Sequence, residues 1–164
     1  MKVLFLPGAS PETSHLASGL FNTIPAVTVE LTVVEYQFWG NKSQPDLNRE
    51  LAHLQEECYD LILAKSAGCL LFLEAAARSV FSFKKAILLG APLHLATQVG
   101  IGTDATRHLA DQRVCLIHQQ NDRVCPASEL KRFNIYKLHL IPGSDHLYTN
   151  YRQYAGLVQK HLQI

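Results

Sequence analysis

Short apolar runs alternating with helical patterns constrain this chain more than any other feature. The runs cover residues 3–6, 27–36, 61–64, 86–89, 114–118 and 136–141. Between them lie stretches with helical signals. Residues 12–21 follow Ser10, a suitable N-cap, and Pro11, which suits a first helical position. Leu47, Leu51, Leu54 and Cys58 recur at helical spacing, as do Leu147, Tyr151, Tyr154, Ala155, Val158 and Leu162 near the end. Residues 68–78 are apolar nearly all round, which predicts a central, covered helix. Residues 41–45 read as a loop. This βα alternation predicts an α/β fold, a parallel sheet with helices on both faces. Leu61-Ile-Leu-Ala64 is continuously apolar, as a strand buried on both faces requires. Tyr136, Leu138 and Leu140 alternate with Lys137 and His139, which predicts an edge strand with one wet face.

The chain has 164 residues, which suits a single domain over residues 1–164. Charge is almost balanced, with 15 Lys plus Arg against 14 Asp plus Glu and no basic run. That argues against a nucleic-acid binder or an anionic-membrane binder and favours a small-molecule partner. No apolar stretch reaches the roughly 20 residues of a membrane-spanning helix. Pro7 ends the first apolar run too early for a signal-peptide core. Cys58, Cys69, Cys115 and Cys125 lack C-x-x-C spacing, so neither a zinc site nor a redox pair is predicted. They read as reduced, mostly buried thiols in a cytoplasmic protein.

Three candidate chemical groups fall just past predicted strands, where open α/β sheets place ligands. The first is Ser66, in Ala64-Lys65-Ser66-Ala67-Gly68 at a strand-to-helix junction. A serine there takes a strained backbone so that its hydroxyl clears the sheet, and only small residues two positions away tolerate the crowding. Taken alone, it reads equally as an N-cap. The second is Asp122, in His118-Gln-Gln-Asn-Asp122-Arg-Val-Cys-Pro126, suited to orienting an imidazole or to capping a turn. The third is His146, in Pro142-Gly-Ser-Asp-His146, able to serve as general base or as a surface cap. Asp145, beside it in sequence, competes with Asp122 for the acid role. Nucleophile, acid and histidine in that chain order distinguish one serine-triad scaffold from the others.

On these motifs the chain resembles the α/β-hydrolase superfamily, particularly its smallest cytoplasmic members. Ala64-Lys-Ser-Ala-Gly68 resembles the family's Gly-x-Ser-x-Gly elbow with alanine for the first glycine. Asp122-Arg-Val-Cys-Pro126 is similar to its Asp-x-x-Val-Pro, one residue longer or with Cys125 in the second valine's place. Gly143-Ser-Asp-His146 resembles its Gly-x-x-His loop, and Pro7-Gly8-Ala9-Ser10 its His-Gly oxyanion loop. The resemblance implies a minimal three-layer α/β/α sandwich of six parallel strands in the order 2-1-3-4-5-6. Only 23 residues separate Leu89 from Arg113, where a cap domain would enter, so at most a flap is expected there, with a short helix over 104–110.

The resemblance further implies a serine hydrolase acting on a small ester or thioester, with catalytic Ser66, Asp122 and His146 and an oxyanion hole from the backbone N–H groups of Ala67 and Ala9. Gly8, Ser10, Trp39 and His94 are candidate pocket residues, although Trp39 also reads as an aromatic covering the sheet edge. No metal or cofactor is implied. An acyltransferase on the same triad, or a noncatalytic binding protein that keeps the fold, are the alternatives. Lys65 reads either as a contact for a substrate carboxylate or as a solvent-facing residue, and Cys69 as a core residue.

Overall fold

Parallel pairing of six short strands organises the molecule. The computed structural model describes residues 1–25, 27–41 and 46–163. The strands are β1 (Lys2–Leu6), β2 (Glu30–Val33), β3 (Cys58–Lys65), β4 (Ser82–Leu89), β5 (Val114–Gln119) and β6 (Leu138–Ile141). They form one sheet in the order β2-β1-β3-β4-β5-β6, the expected 2-1-3-4-5-6, and every neighbouring pair is parallel. The longest ladder joins β3 to β4, from Cys58↔Ser82 to Lys65↔Leu89. Leu61, Ile62, Leu63 and Ala64 are fully buried at its centre, as a strand covered on both faces must be.

Alternate residues feed two cores because successive strand side chains point to opposite faces. On one face Val3, Phe5, Leu61, Leu63, Ile87 and Ile117 pack against α1 (Leu16–Phe21) and α6 (Ala155–Leu162). On the other, Leu4, Leu6, Ile62, Ala64, Leu88 and Leu116 meet α3 (Leu47–Leu51), α4 (Ala67–Ala77) and α5 (Thr103–Thr106). The result is a three-layer α/β/α arrangement. Helix α4 is buried on nearly every side, as its composition requires, with Leu71, Phe72 and Leu73 wholly inaccessible. Burying each such side chain contributes about 1.5–3 kcal/mol. No helix among the described residues is long and apolar enough to cross a membrane.

Several elements differ from the sequence reading. The helix expected over 12–21 splits into a 3-10 turn, Pro11–His15, and α1; Ser10 does cap it, accepting from Glu12 N–H. The strand expected over 27–36 narrows to β2, since β1 offers pairing partners only for Glu30 to Val33. Ala26 lies outside the described residues, and so does most of the 41–45 loop; Asn41 itself closes α2 (Gln37–Asn41), the helix that carries Trp39. The helical stripe through Leu47, Leu51, Leu54 and Cys58 stops at Leu51, and Cys58 is an exposed residue opening β3. The other three cysteines are buried, and all four are free thiols. The helix over 104–110 divides into α5 and a 3-10 turn, Arg107–Ala110. The last helix begins only at Ala155, which leaves Leu147 exposed.

The face assignment of β6 is reversed. Tyr136, Leu138 and Leu140 were expected inside, yet they are 63%, 38% and 47% exposed. Ile141 is the buried residue of the strand, joining the core beneath α1 and α6. Strand parity then turns Leu138 and Leu140 to the opposite face. Only a short 3-10 turn, Ala127–Arg132, follows β5 on the chain's way to that edge, where a full crossover helix would give wider cover.

Candidate active site

Ser66 stands at the sharp turn between β3 and α4, with φ +50° and ψ −116°. A positive φ is costly for serine, and only surrounding constraints sustain it. Those constraints are visible: Ser66 N–H donates to Leu89 O on β4, and Ser66 O accepts from Cys69 N–H in the first turn of α4. Gly68 is required by contact. A Cβ there would lie 2.0 Å from Leu6 O and 2.5 Å from Pro7 O. The turn is therefore pressed against the end of β1, and Ser66 is left half-buried with its hydroxyl facing the loops after β5 and β6.

His146 reaches that hydroxyl, its Nε2 lying 2.9 Å from Ser66 Oγ. Its Nδ1 lies 2.8 and 2.7 Å from the two oxygens of Asp122. Because a carboxylate only accepts, Nδ1 carries the proton and Nε2 is the acceptor for Ser66 O–H. The Asp122 side chain is fully buried and that of His146 is 14% exposed. Asp122 Oδ1 also accepts from Val124 N–H at 2.9 Å and Cys125 N–H at 3.1 Å. Burial alone would push the Asp122 carboxyl up, but the hydrogen bond from His146 and those from Cys125 and Val124 hold it well below the usual carboxylate range. His118, fully buried, braces the same turn by donating from Nε2 to Cys125 O at 2.6 Å.

Asp145 points away from the imidazole and accepts instead from Gln119 Nε2 at 2.9 Å and Leu147 N–H at 2.8 Å. Gln119 Oε1 accepts from His146 N–H at 3.0 Å, so a single amide clasps two adjacent residues of the histidine loop. The loop is strained as well, with φ +60° at both His146 and Tyr148.

In the loop after β1, Gly8 N–H is occupied by Thr13 Oγ1 at 2.8 Å. Pro7 has no N–H, and its carbonyl accepts from Tyr36 O–H at 2.9 Å; Ala9 O accepts from Trp39 Nε1–H, also at 2.9 Å. The carbonyls of the loop are thus tied back. Ala9 N–H, and Ala67 N–H at the start of α4, have no protein acceptor among the described residues. Ser10 is committed to capping and is exposed.

Trp39 and His94 stand at two flanking hollows. Trp39 lines a groove of about 410 Å³ with Pro11, His15, Leu31 and Glu35. His94 lines a mainly apolar pocket of about 200 Å³ with Leu93, Ile101 and Phe133. None of Ser66, Asp122 and His146 is in either wall. A third cavity, about 570 Å³, includes Cys58 and Ser82, the first residues of β3 and β4, and so opens at the far end of the sheet from Ser66.

Lys65 does not face solvent, one of the two readings its sequence position allowed. It is 2% exposed, and its ammonium sits 5.3 Å from the ring centroid of Tyr148. Burial lowers its pKa to about 8, against the opposing influence of Cys69, Asp122 and Asp145. Burial pushes the Cys69 thiol up to about 12, so it stays protonated within the core. Among the described residues no three His, Cys, Asp or Glu side chains gather as a metal site would need.

Thr13, Tyr36, Gln119 and Tyr148 escaped the sequence reading. Each acts through contacts between residues far apart in the chain, or through a local hydroxyl bond that leaves no motif. Gln119 lay inside the His118–Pro126 segment already singled out, and Tyr148 two residues past the candidate histidine.

No family model matches the chain, and neither does any curated protein. Among solved structures it is similar to MGS-MChE2, an alpha/beta hydrolase enzyme from the metagenome of sediments from the lagoon of Mar Chica, Morocco. The two superpose with a TM-score of 0.71 over 99% of this chain and 90% of that one, at 15% identity. This chain therefore has the α/β-hydrolase fold.

Proposed function

We propose that this chain is a serine hydrolase that cleaves a small ester or thioester through an acyl-enzyme. The observation that carries the reading is the continuous relay from Ser66 Oγ through His146, at 2.9 Å and 2.7 Å, to the buried Asp122. It starts from a serine held at positive φ at the end of a central strand. In this reading Ser66 Oγ attacks the carbonyl carbon while His146 Nε2 takes its proton. Asp122 stabilises the imidazolium and keeps its tautomer. The N–H groups of Ala9 and Ala67 receive the developing oxyanion, each such donor being worth about 10²–10³ in rate. His146 returns the proton to the leaving alcohol or thiol, and water then resolves the acyl-enzyme by the same steps in reverse.

Labelling by a fluorophosphonate probe tests the nucleophile directly. Wild-type protein should be labelled and Ser66→Ala should not, with esterase turnover falling by about 10⁶ as when other triad serines are removed. Failure of the wild type to label, or turnover retained in Ser66→Ala, refutes the assignment.

A further inference from the structure

Tyr148 lies directly behind the triad. It is 1% exposed, and its hydroxyl donates to Asp122 Oδ2 at 3.1 Å while accepting from Gln119 N–H at 2.8 Å. Its ring meets the His146 ring edge-on, with centroids 6.0 Å apart and planes at 83°. The Lys65 ammonium sits over the same ring, and Tyr154 O–H holds the Tyr148 carbonyl at 2.6 Å. Gly90 leaves room for this ring, since a Cβ there would approach Tyr148 Cε2 to 2.7 Å. A phenol fixed from so many directions, at a backbone angle unfavourable for tyrosine, has little freedom to move.

Its one bond to the triad is well placed. Asp122 Oδ1 already has two backbone donors, whereas the only donors to Oδ2 among the described residues are His146 and Tyr148. A carboxylate gripped at one oxygen alone can swing about that grip, and the second grip sets its plane. We propose that Tyr148 is a positioning residue. Its O–H on Oδ2 fixes the plane of the carboxylate that orients His146, while Gln119 fixes the loop on which both His146 and Tyr148 stand. The proposal rests on the hydrolase reading of the triad.

The experiment compares Tyr148→Phe with Tyr59→Phe, which alters a buried tyrosine near the start of β3, away from Ser66 and from every contact of Tyr148 named above. The readouts are the proton resonance of His146 Nδ1–H, recorded without substrate, and the split between kcat and KM on a p-nitrophenyl ester. Tyr148→Phe should shift or broaden the resonance and lower kcat about tenfold at unchanged KM, the order seen when groups that orient a reacting centre are removed. Tyr59→Phe should leave both in place. Should Tyr148→Phe not fold, replacing tyrosine with 3-fluorotyrosine, a stronger donor, should move the same resonance. An unmoved resonance with either probe, an equal change in Tyr59→Phe, or a loss confined to KM overturns the proposal. If the wild type hydrolyses no ester, the hydrolase reading fails, and the resonance still decides whether Tyr148 orients the pair.

Discussion

Lys65→Met should stabilise the protein at neutral pH, although it deletes a residue next to the candidate nucleophile. Lys65 is almost wholly inaccessible and none of the salt bridges among the described residues includes it. Its pKa falls from 10.5 to about 8, chiefly because burial disfavours the ammonium. Each pKa unit corresponds to about 1.4 kcal/mol, so keeping Lys65 charged in the fold costs about 3 kcal/mol. The cation–π contact with Tyr148 returns about 1 kcal/mol, which methionine forfeits. The net gain for Lys65→Met at pH 7 is then about 2 kcal/mol. The folded pKa lies below the unfolded one. The penalty is therefore full below about pH 8 and is relieved as pH rises toward the unfolded value. By about pH 10 folded Lys65 is mostly neutral, and the gain should shrink below about 1 kcal/mol. Urea unfolding of both proteins at the two pH values measures this. No gain at neutral pH, or a gain equal at both, would refute the account of a desolvated ammonium.

Asp122→Asn should lower kcat by about 10⁴ by holding the wrong imidazole tautomer, whereas Asp145→Asn should stay within about tenfold of wild type; the reverse ranking in steady-state assays would move the acid role to Asp145. Asp122 also titrates far below its unfolded value, so its contribution to stability is present above the ordinary carboxylate range and lost as pH falls through its depressed folded pKa. Acid unfolding of Asp122→Asn should accordingly show a weaker pH dependence than wild type. Gly68→Ala should cost more than about 3 kcal/mol or prevent folding, because its Cβ would enter the backbone at Leu6 and Pro7, and thermal unfolding checks it. With no cap domain among the described residues, kcat/KM for p-nitrophenyl esters should be flat or falling beyond roughly six acyl carbons, as little chain is buried at about 0.8 kcal/mol per CH₂; a steady rise with chain length would contradict an open site.

The elbow was legible because its constraint is local and steric. Ala64, Ser66 and Gly68 are the residue types that such a turn admits, and the atoms crowding Gly68 belong to the neighbouring strand that any parallel sheet would bring there. The central place of β3 was legible for the same kind of reason, since its unbroken apolar run at residues 61–64 has to be covered on both faces, whereas the full sheet order came from the family resemblance. The limits of β2 were not legible. The β-branched stretch continues past Val33, and only the length of β1 decides where pairing stops. The faces of β6 were not legible either. An alternating strand defines two faces but does not say which one finds cover, and here the burial of Ile141 decided it. Gln119 ends β5 as a polar residue without any local mark. Its clasp on Asp145 and His146 exists only because β6 lies beside β5.

The pairing of β6 with β5 has a consequence for how the site comes into being. Ser66 and His146 are 80 residues apart in sequence, and the histidine loop follows the last strand to join the sheet edge. No fragment ending before β6 contains the relay, and contacts of such long separation form slowly because their loop entropy is lost before they are rewarded. Recovery of activity during refolding should therefore lag behind the burial of the β3–β4 centre and keep time with the arrival of the outermost strand.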